Sequence, residues 1–296
     1  MTETPRHEPV MPSEVVALLE PSRGGLYVDC TVGLGGHALL LLEHGADRLI
    51  GLDRDADALR IAAERLRPYG DRVELVHSDY RQLGAVLEAR SIGGVHGVLA
   101  DLGVSSMQLD AAGRGFTFRR DEPLDMRMDR SVGPTLADLL DRVEEEDLAN
   151  VIFQFGEERH SRRIARAIVR RRESGRIETT GELADLVRRA VPARAYQRID
   201  PATRTFQALR IWVNGELDGL DSFVRDAVDV LAPGGRAAVI SFHSLEDRVV
   251  KHTLRGLERE GLVHLPSRKP IVAADDELSR NPRARSAKLR AAERLP

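Results

Sequence analysis

The stretch YVDCTVGLGGHALLLL, residues 27–42, decides the fold. An apolar start ends in Asp29, a glycine-dense turn follows, and an apolar, helix-like run begins. A strand that passes through such a turn into a helix opens the βαβ unit of cofactor-binding α/β folds. Two unrelated chemistries use this turn, dinucleotide binding and S-adenosylmethionine binding, so the surrounding residues must choose between them.

Outward from the turn, strand and helix alternate. GLYVDC (25–30), RLIGLD (48–53), RVELVHSD (72–79) and GVHGVLAD (94–101) each read as a buried strand ending in an acid. HALLLLEHG and ADALRIAAERLRPYG between them carry helical periodicity and stop at glycine. This alternation predicts a parallel, doubly wound sheet. After residue 105 it ceases: 105–135 is rich in Gly, Pro and Asp, and Thr135 to about Ala190 reads as helix upon helix. VLAPGGRAAVISFHS then returns to the sheet, with a Pro-Gly-Gly turn ahead of a strand at 236–242, and NPRARSAKLRAAER reads as a closing strand.

Composition narrows the class. The chain has 296 residues, 42% hydrophobic but only 4% aromatic, so its core is built from Leu, Val, Ile and Ala. No apolar run approaches the roughly 18 to 20 residues of a membrane span, and MTETPRHEPVM lacks the marks of an export signal. The reading is a cytoplasmic protein with no membrane partner. One cysteine, Cys30, allows neither an internal disulfide nor a cysteine cluster for zinc, and no metal site is expected. Net charge is −3, yet residues 151–210 hold fourteen Arg against seven acids, giving +7 there and −10 elsewhere.

Gly33, Gly35 and Ala38 satisfy the permissive pattern G-x-G-x-x-A, and Asp53 lies twenty residues past Gly33 where a ribose-binding acid belongs. An NAD(P)-dependent oxidoreductase is therefore one reading. The acids favour another. Asp29 sits four residues before Gly33, where a carboxylate repels a pyrophosphate but attracts the ammonium and sulfonium of S-adenosylmethionine. Asp29, Asp53, Asp79 and Asp101 end four consecutive strands, and in a parallel sheet those ends share the edge where ligands bind. Singly each reads as a helix N-cap; together they read as a rim for a cation. S-adenosyl-L-methionine is the favoured cofactor.

TVGLGGH, GLDRD, DLGVSSMQLD, RGFTF, PLDMRMD, PATRTFQALRIWVN, LAPGGR, ISFHSLEDR and NPRARSAKLR together resemble the RsmH (MraW) family of S-adenosylmethionine-dependent methyltransferases. The resemblance runs from HEPVM at residue 7 to the C-terminal tail. The glycine turn is generic, whereas DLGVSSMQLD with PLDMRMD and ISFHSLEDR is highly specific. It implies a Rossmann-like class I methyltransferase sheet with an inserted helical subdomain: residues 1–107 the first part of the methyltransferase domain, 108–204 the insertion that recognises RNA, 205–296 the second part. It implies methylation of the N4 amino group of a cytidine in the decoding region of 16S rRNA, with the small ribosomal subunit as partner; a homodimer is left open. A non-catalytic RNA-binding assembly factor that holds the cofactor structurally is the reading from outside the enzymes.

The resemblance also implies site residues. Gly35, Gly36 and His37, beside Gly33, line the methionine end; Asp53 binds the ribose hydroxyls, Tyr80 packs on the adenine, and Asp101 and Gln108 complete the pocket. From the residues alone Asp79 is the partner for the adenine amine; the family pattern singles out Tyr80 instead. Asp200 stands where the family commonly has His, which leaves that side chain without an implied role.

A cytosine amine is a poor nucleophile because its lone pair is delocalised, so an acceptor on the N–H must localise it and take the surplus proton. The Pro-Pro-aromatic signature of many amino-methyltransferases is absent, since DLGVSS stands at that place. Asp101 is the candidate catalytic acceptor, with cofactor binding as its other role. His243 is the titratable alternative, or else it holds its loop. Ser105 and Ser106 either meet the base or cap a helix. In RHSRRIARAIVRRR, Ile164, Ala165, Ile168 and Val169 fall on one helix face, and Arg162, Arg163, Arg166 and Arg170 fall opposite. With only Glu157, Glu158 and Glu173 nearby in sequence, that stripe reads as a phosphate-binding face. The tail from Ser279 to Arg294 adds six basic residues against one acid.

Overall fold

The computed structural model describes residues 8–192 and 200–296, without the side chains of Ser106 and Asp110. His7 and the Ser106 hydroxyl therefore lie outside the described residues. The chain divides into two compact units, one of residues 1–103 with 219–296, the other of 104–218.

In the first unit, strands β1 (Leu26–Asp29), β2 (Arg48–Asp53), β3 (Val73–His77), β4 (Val95–Asp101), β5 (Leu231–Ser241), β6 (Val263–His264) and β7 (Lys288–Arg294) form one sheet in the order β3-β2-β1-β4-β5-β7-β6. The first five are parallel; β7 runs antiparallel to β5 and β6. Near-continuous apolar runs suit strands covered on both faces, and Leu49, Ile50 and Leu52 of β2 are all buried. Helices α1 (Pro12–Leu19), α2 (Gly36–Glu43), α3 (Ala56–Leu66) and α4 (Leu83–Glu88) belong to this unit. The order reverses between β1 and β4, the switch point at which open α/β sheets bind ligands.

The strand expectations need two corrections. β3 ends at His77, and Asp79 instead N-caps a short 3₁₀ turn, its side chain accepting from the Arg81 N–H. Asp79 therefore leaves the rim, and the cap reading holds for it. β5 begins at Leu231, so the Pro-Gly-Gly lies inside the strand, where its pairing with β4 slips between Val95 and Gly97.

The second unit holds α5 (Ser106–Asp110), α6 (Leu136–Arg142), α7 (Glu145–Gly156), α8 (Ser161–Arg172), α9 (Thr180–Ala190) and α10 (Ala202–Asn214) around a core that includes Leu136, Ile152, Ile168, Leu183 and Phe206. Its limits, 104 and 218, lie outside the expected 108 and 204, because α10 packs on α7 within this core. PLDMRMD and RIWVN are two halves of one lock. Asn214 accepts from the Met128 N–H at 2.8 Å and donates to the Met126 carbonyl at 2.9 Å. Asp125 takes a two-pronged bond from Arg127 at 2.7 and 3.1 Å. The chain closes in the first unit with α11 (Leu220–Asp229), α12 (Ser244–Arg259) and α13 (Asp275–Arg280).

Candidate active site

The glycine turn is built by backbone necessity. Gly33 has φ +50° and Gly35 φ +77°, left-handed values that a side chain disfavours, and Gly35 N-caps α2. The Gly33 N–H donates to Asp53 Oδ2 at 2.8 Å, and Asp53 Oδ1 accepts from the Asp55 N–H at 2.8 Å. Asp53 thus pins the turn to the end of β2, while each oxygen keeps a lone pair for a further donor. Across the switch point, the Asp101 N–H donates to Thr31 Oγ1 at 2.6 Å, a contact no sequence pattern announced.

Three acids converge here. Asp29 is buried; its Oδ1 accepts from the Thr31 N–H at 3.1 Å, and its Oδ2 has no hydrogen-bond partner among the described residues. Burial pushes its carboxyl up to about 7, with His37 opposing. Asp101 Oδ2 lies 3.8 Å from His37 Nδ1, and its Oδ1 has no hydrogen-bond partner among the described residues. Burial raises Asp101 as well, against the pull of His37 and Arg283, and burial raises Asp53. Desolvated carboxylates without partners are costly, and a cation relieves them. These residues fit a ligand bearing an ammonium and a sulfonium. They do not fit a pyrophosphate, which sets aside the dinucleotide reading.

Other expected residues have local duties. Burial alone would raise Asp79, but Arg81 bonds it at 2.8 and 2.7 Å and holds its carboxyl below the ordinary range. The Tyr80 ring sits 4.6 Å from that of Phe223, which orients it from α11. His243 N-caps α12: its Nδ1 accepts from the Glu246 N–H at 3.3 Å, and Glu246 Oε2 accepts from the Phe242 N–H at 2.9 Å. In the helical unit, Ser105 and Gln108 close a capping box on α5, the Gln108 carbonyl accepting from the Ser105 N–H at 3.0 Å. Asp200 bonds Arg188 at 2.8 Å and caps the start of α10 through the Ala202 N–H.

The acid cluster makes stability depend on pH. Between the ordinary 3.8 and about 7, native Asp29 holds a proton that the unfolded chain has released. Protons bound in the native state exceed those in the unfolded state, so stability falls as pH rises through that window. The melting temperature of the cofactor-free chain should therefore drop from about pH 5 to about pH 7.5, and Asp29→Asn should flatten the drop. An equal slope in the variant would show that Asp29 is not the group responsible.

On α8, Ile164, Ala165 and Ile168 are buried while Arg162, Arg163, Arg166 and Arg170 are exposed. Arg166 reaches Glu145 on α7 at 3.2 Å, a partner outside the local sequence window. Among the described residues, Arg162, Arg163 and Arg170 enter no ion pair. In the tail, Arg290 and Lys288 bond Asp247 at 2.7 and 3.3 Å, and Arg294 donates to the Val228 carbonyl at the end of α11. Arg280 pairs with Glu8. Most of the tail's positive charge is thus spent inside the fold.

Comparison with known proteins agrees with this geometry. The MraW methylase family matches residues 4–295. "Ribosomal RNA small subunit methyltransferase H" of Sorangium cellulosum is 52% identical over 98% of this chain and 91% of its own length. The protein of the same name from Geotalea uraniireducens is 49% identical over 98% of each chain. A match spanning nearly every residue, on a sheet with a carboxylate-lined switch point, places the chain in the MraW methylase family, as a methyltransferase that uses S-adenosylmethionine.

Proposed function

We propose that this chain methylates small-subunit ribosomal RNA, at the N4 amino group of a cytidine in the decoding region of 16S rRNA. The observation that carries the reading is about 50% identity, along almost the whole chain, to proteins named for small-subunit rRNA methylation. The N4 position and the decoding region come from the resemblance of DLGVSSMQLD, PLDMRMD and ISFHSLEDR to that family.

The cofactor supplies an electrophilic methyl group on a sulfonium. Gly33, Gly35, Gly36 and His37 would form the turn at its methionine end, Asp53 would take the ribose diol, and Tyr80 would face the adenine. Gln108, whose carbonyl serves the Ser105 cap, is carried over from the resemblance alone. Asp101 would accept the amine proton, because its Oδ1 is buried at the switch point without a hydrogen-bond partner among the described residues. His243 is the weaker candidate, since its ring already serves as an N-cap. The helical unit would meet RNA phosphates through the exposed arginines of α8. The target base must leave its stack to react.

Nucleoside analysis of 16S rRNA from cells lacking the protein should show one N4-methylated cytidine missing, restored by the wild-type chain. A full complement of methylated cytidine without the protein would overturn the reading.

A further inference from the structure

The N-terminal segment crosses the cofactor turn and is tied down from both sides. Val10 and Met11 are fully buried, and Met11 adopts φ +53°, a left-handed value unusual for a side-chain-bearing residue. The Val10 carbonyl lies 2.8 Å from His37 Nε2 in a buried contact. The Met11 N–H donates to Glu277 Oε1 at 2.8 Å, and Glu277 on α13 is itself buried. Pro9 lies against Gly36. These contacts, spanning 266 residues of sequence, hold a strap over the turn.

The strap has a chemical consequence at His37. A carbonyl accepts only from N–H, so Nε2 carries a proton, and in the neutral form of the ring Nδ1 is the atom with the lone pair. Nδ1 is the atom 3.8 Å from Asp101 Oδ2. The groups acting on this pair are Asp29 at the end of β1, Glu246 on α12 and Arg283 after α13. Two such acceptors, a lone pair and a carboxylate, can share one added proton once they close to hydrogen-bond length. Such a pair lacks one proton before methyl transfer and has a defined place for it afterwards.

We propose that Asp101 and His37 form a proton-accepting dyad whose geometry is set by the strap, with Val10 and Glu277 as its positioning residues. This rests on the reading that an amine is methylated. As the new C–N bond forms and the S–C bond breaks, the amine nitrogen keeps its N–H electron pair and its proton passes to Asp101. From there, once the 3.8 Å gap to Nδ1 closes to hydrogen-bond length, it moves to His37, leaving an imidazolium that donates to Asp101 on one side and Val10 on the other. His37 acts through Asp101, which its separate role at the methionine end would not require.

The test uses the full chain. In the cofactor-free protein, nitrogen NMR of the imidazole should show a single Nε2–H tautomer for His37. Glu277→Ala, which releases Met11, should replace it with a tautomer mixture, and Glu277→Gln, whose carbonyl can still accept, should restore it. His37→Gln keeps a donor for Val10 but removes the base. At saturating cofactor it should lower single-turnover methylation of rRNA about a hundredfold and shift its pH profile. The double variant with Asp101→Asn should be little worse than Asp101→Asn alone. A His37 ring in the Nδ1–H tautomer, or His37→Gln with wild-type turnover and pH profile, overturns the dyad. A wild-type chain inert on rRNA with an intact Nε2–H tautomer would instead overturn the functional reading, and the dyad's catalytic role with it.

Discussion

Asp101→Asn should lower kcat by about a hundredfold to ten-thousandfold, the usual contribution of a positioned general base. The substitution preserves shape and keeps the backbone bond from the Asp101 N–H to Thr31 Oγ1. Cofactor affinity should change by no more than about tenfold, because Asp29 and Asp53 remain in the acid cluster. Rapid-quench methyl transfer at saturating cofactor, with calorimetry for binding, separates the two effects. Should the loss reside wholly in affinity, with turnover intact, Asp101 is a cofactor ligand and the proton acceptor lies elsewhere. His243 would be the next residue to test by pH dependence, despite its capping bond from the Glu246 N–H.

Replacing Arg162, Arg163 and Arg170 together by Gln should weaken RNA binding at least about tenfold and make it less sensitive to salt. Each lost phosphate contact should reduce the log–log salt slope by roughly 0.7 to 0.9, about two units for the three. Folding should survive, since Gln is a good helix former and Ile164, Ala165 and Ile168 keep their buried face. Arg166→Gln is the internal comparison: its guanidinium already meets Glu145 at 3.2 Å, so its loss should cost RNA affinity less. Filter binding across a salt series reads both quantities. An unchanged slope in the triple variant would make α8 an ordinary solvated face. The RNA contact would then be sought around the exposed Arg285, because Lys288, Arg290 and Arg294 are engaged within the fold.

Much of the turn's local geometry is legible in the sequence. Gly33 and Gly35 were legible because a strand-to-helix turn needs left-handed residues, a strictly local demand. Asp29 and Asp53 were legible because parallel strands deliver their ends to one edge. Asp79 misled because it lies two residues past the end of β3. An acid just past a strand looks the same in sequence whether it lines a ligand or caps a turn. The capping duty of His243 is signalled by Glu246 three residues on, which closes the box on α12. Thr31, Val10 and Glu277 left no signal, because each acts on a residue brought near only by the fold.

By itself, the sequence determined the alternation of strand and helix, the glycine turn, the apolar face of α8 and, through its motifs, the family. These follow from periodicity and backbone sterics over a few residues, which neighbours in the chain settle among themselves. Only the tertiary structure decided which charges are spent and which are available. It paired Arg166 with Glu145 and the tail's Lys288 and Arg290 with Asp247, and left Asp29 Oδ2 and Asp101 Oδ1 buried without hydrogen-bond partners among the described residues. A charged group's role depends on its solvation and on what stands within a few ångströms, and both are set by segments far apart in the chain.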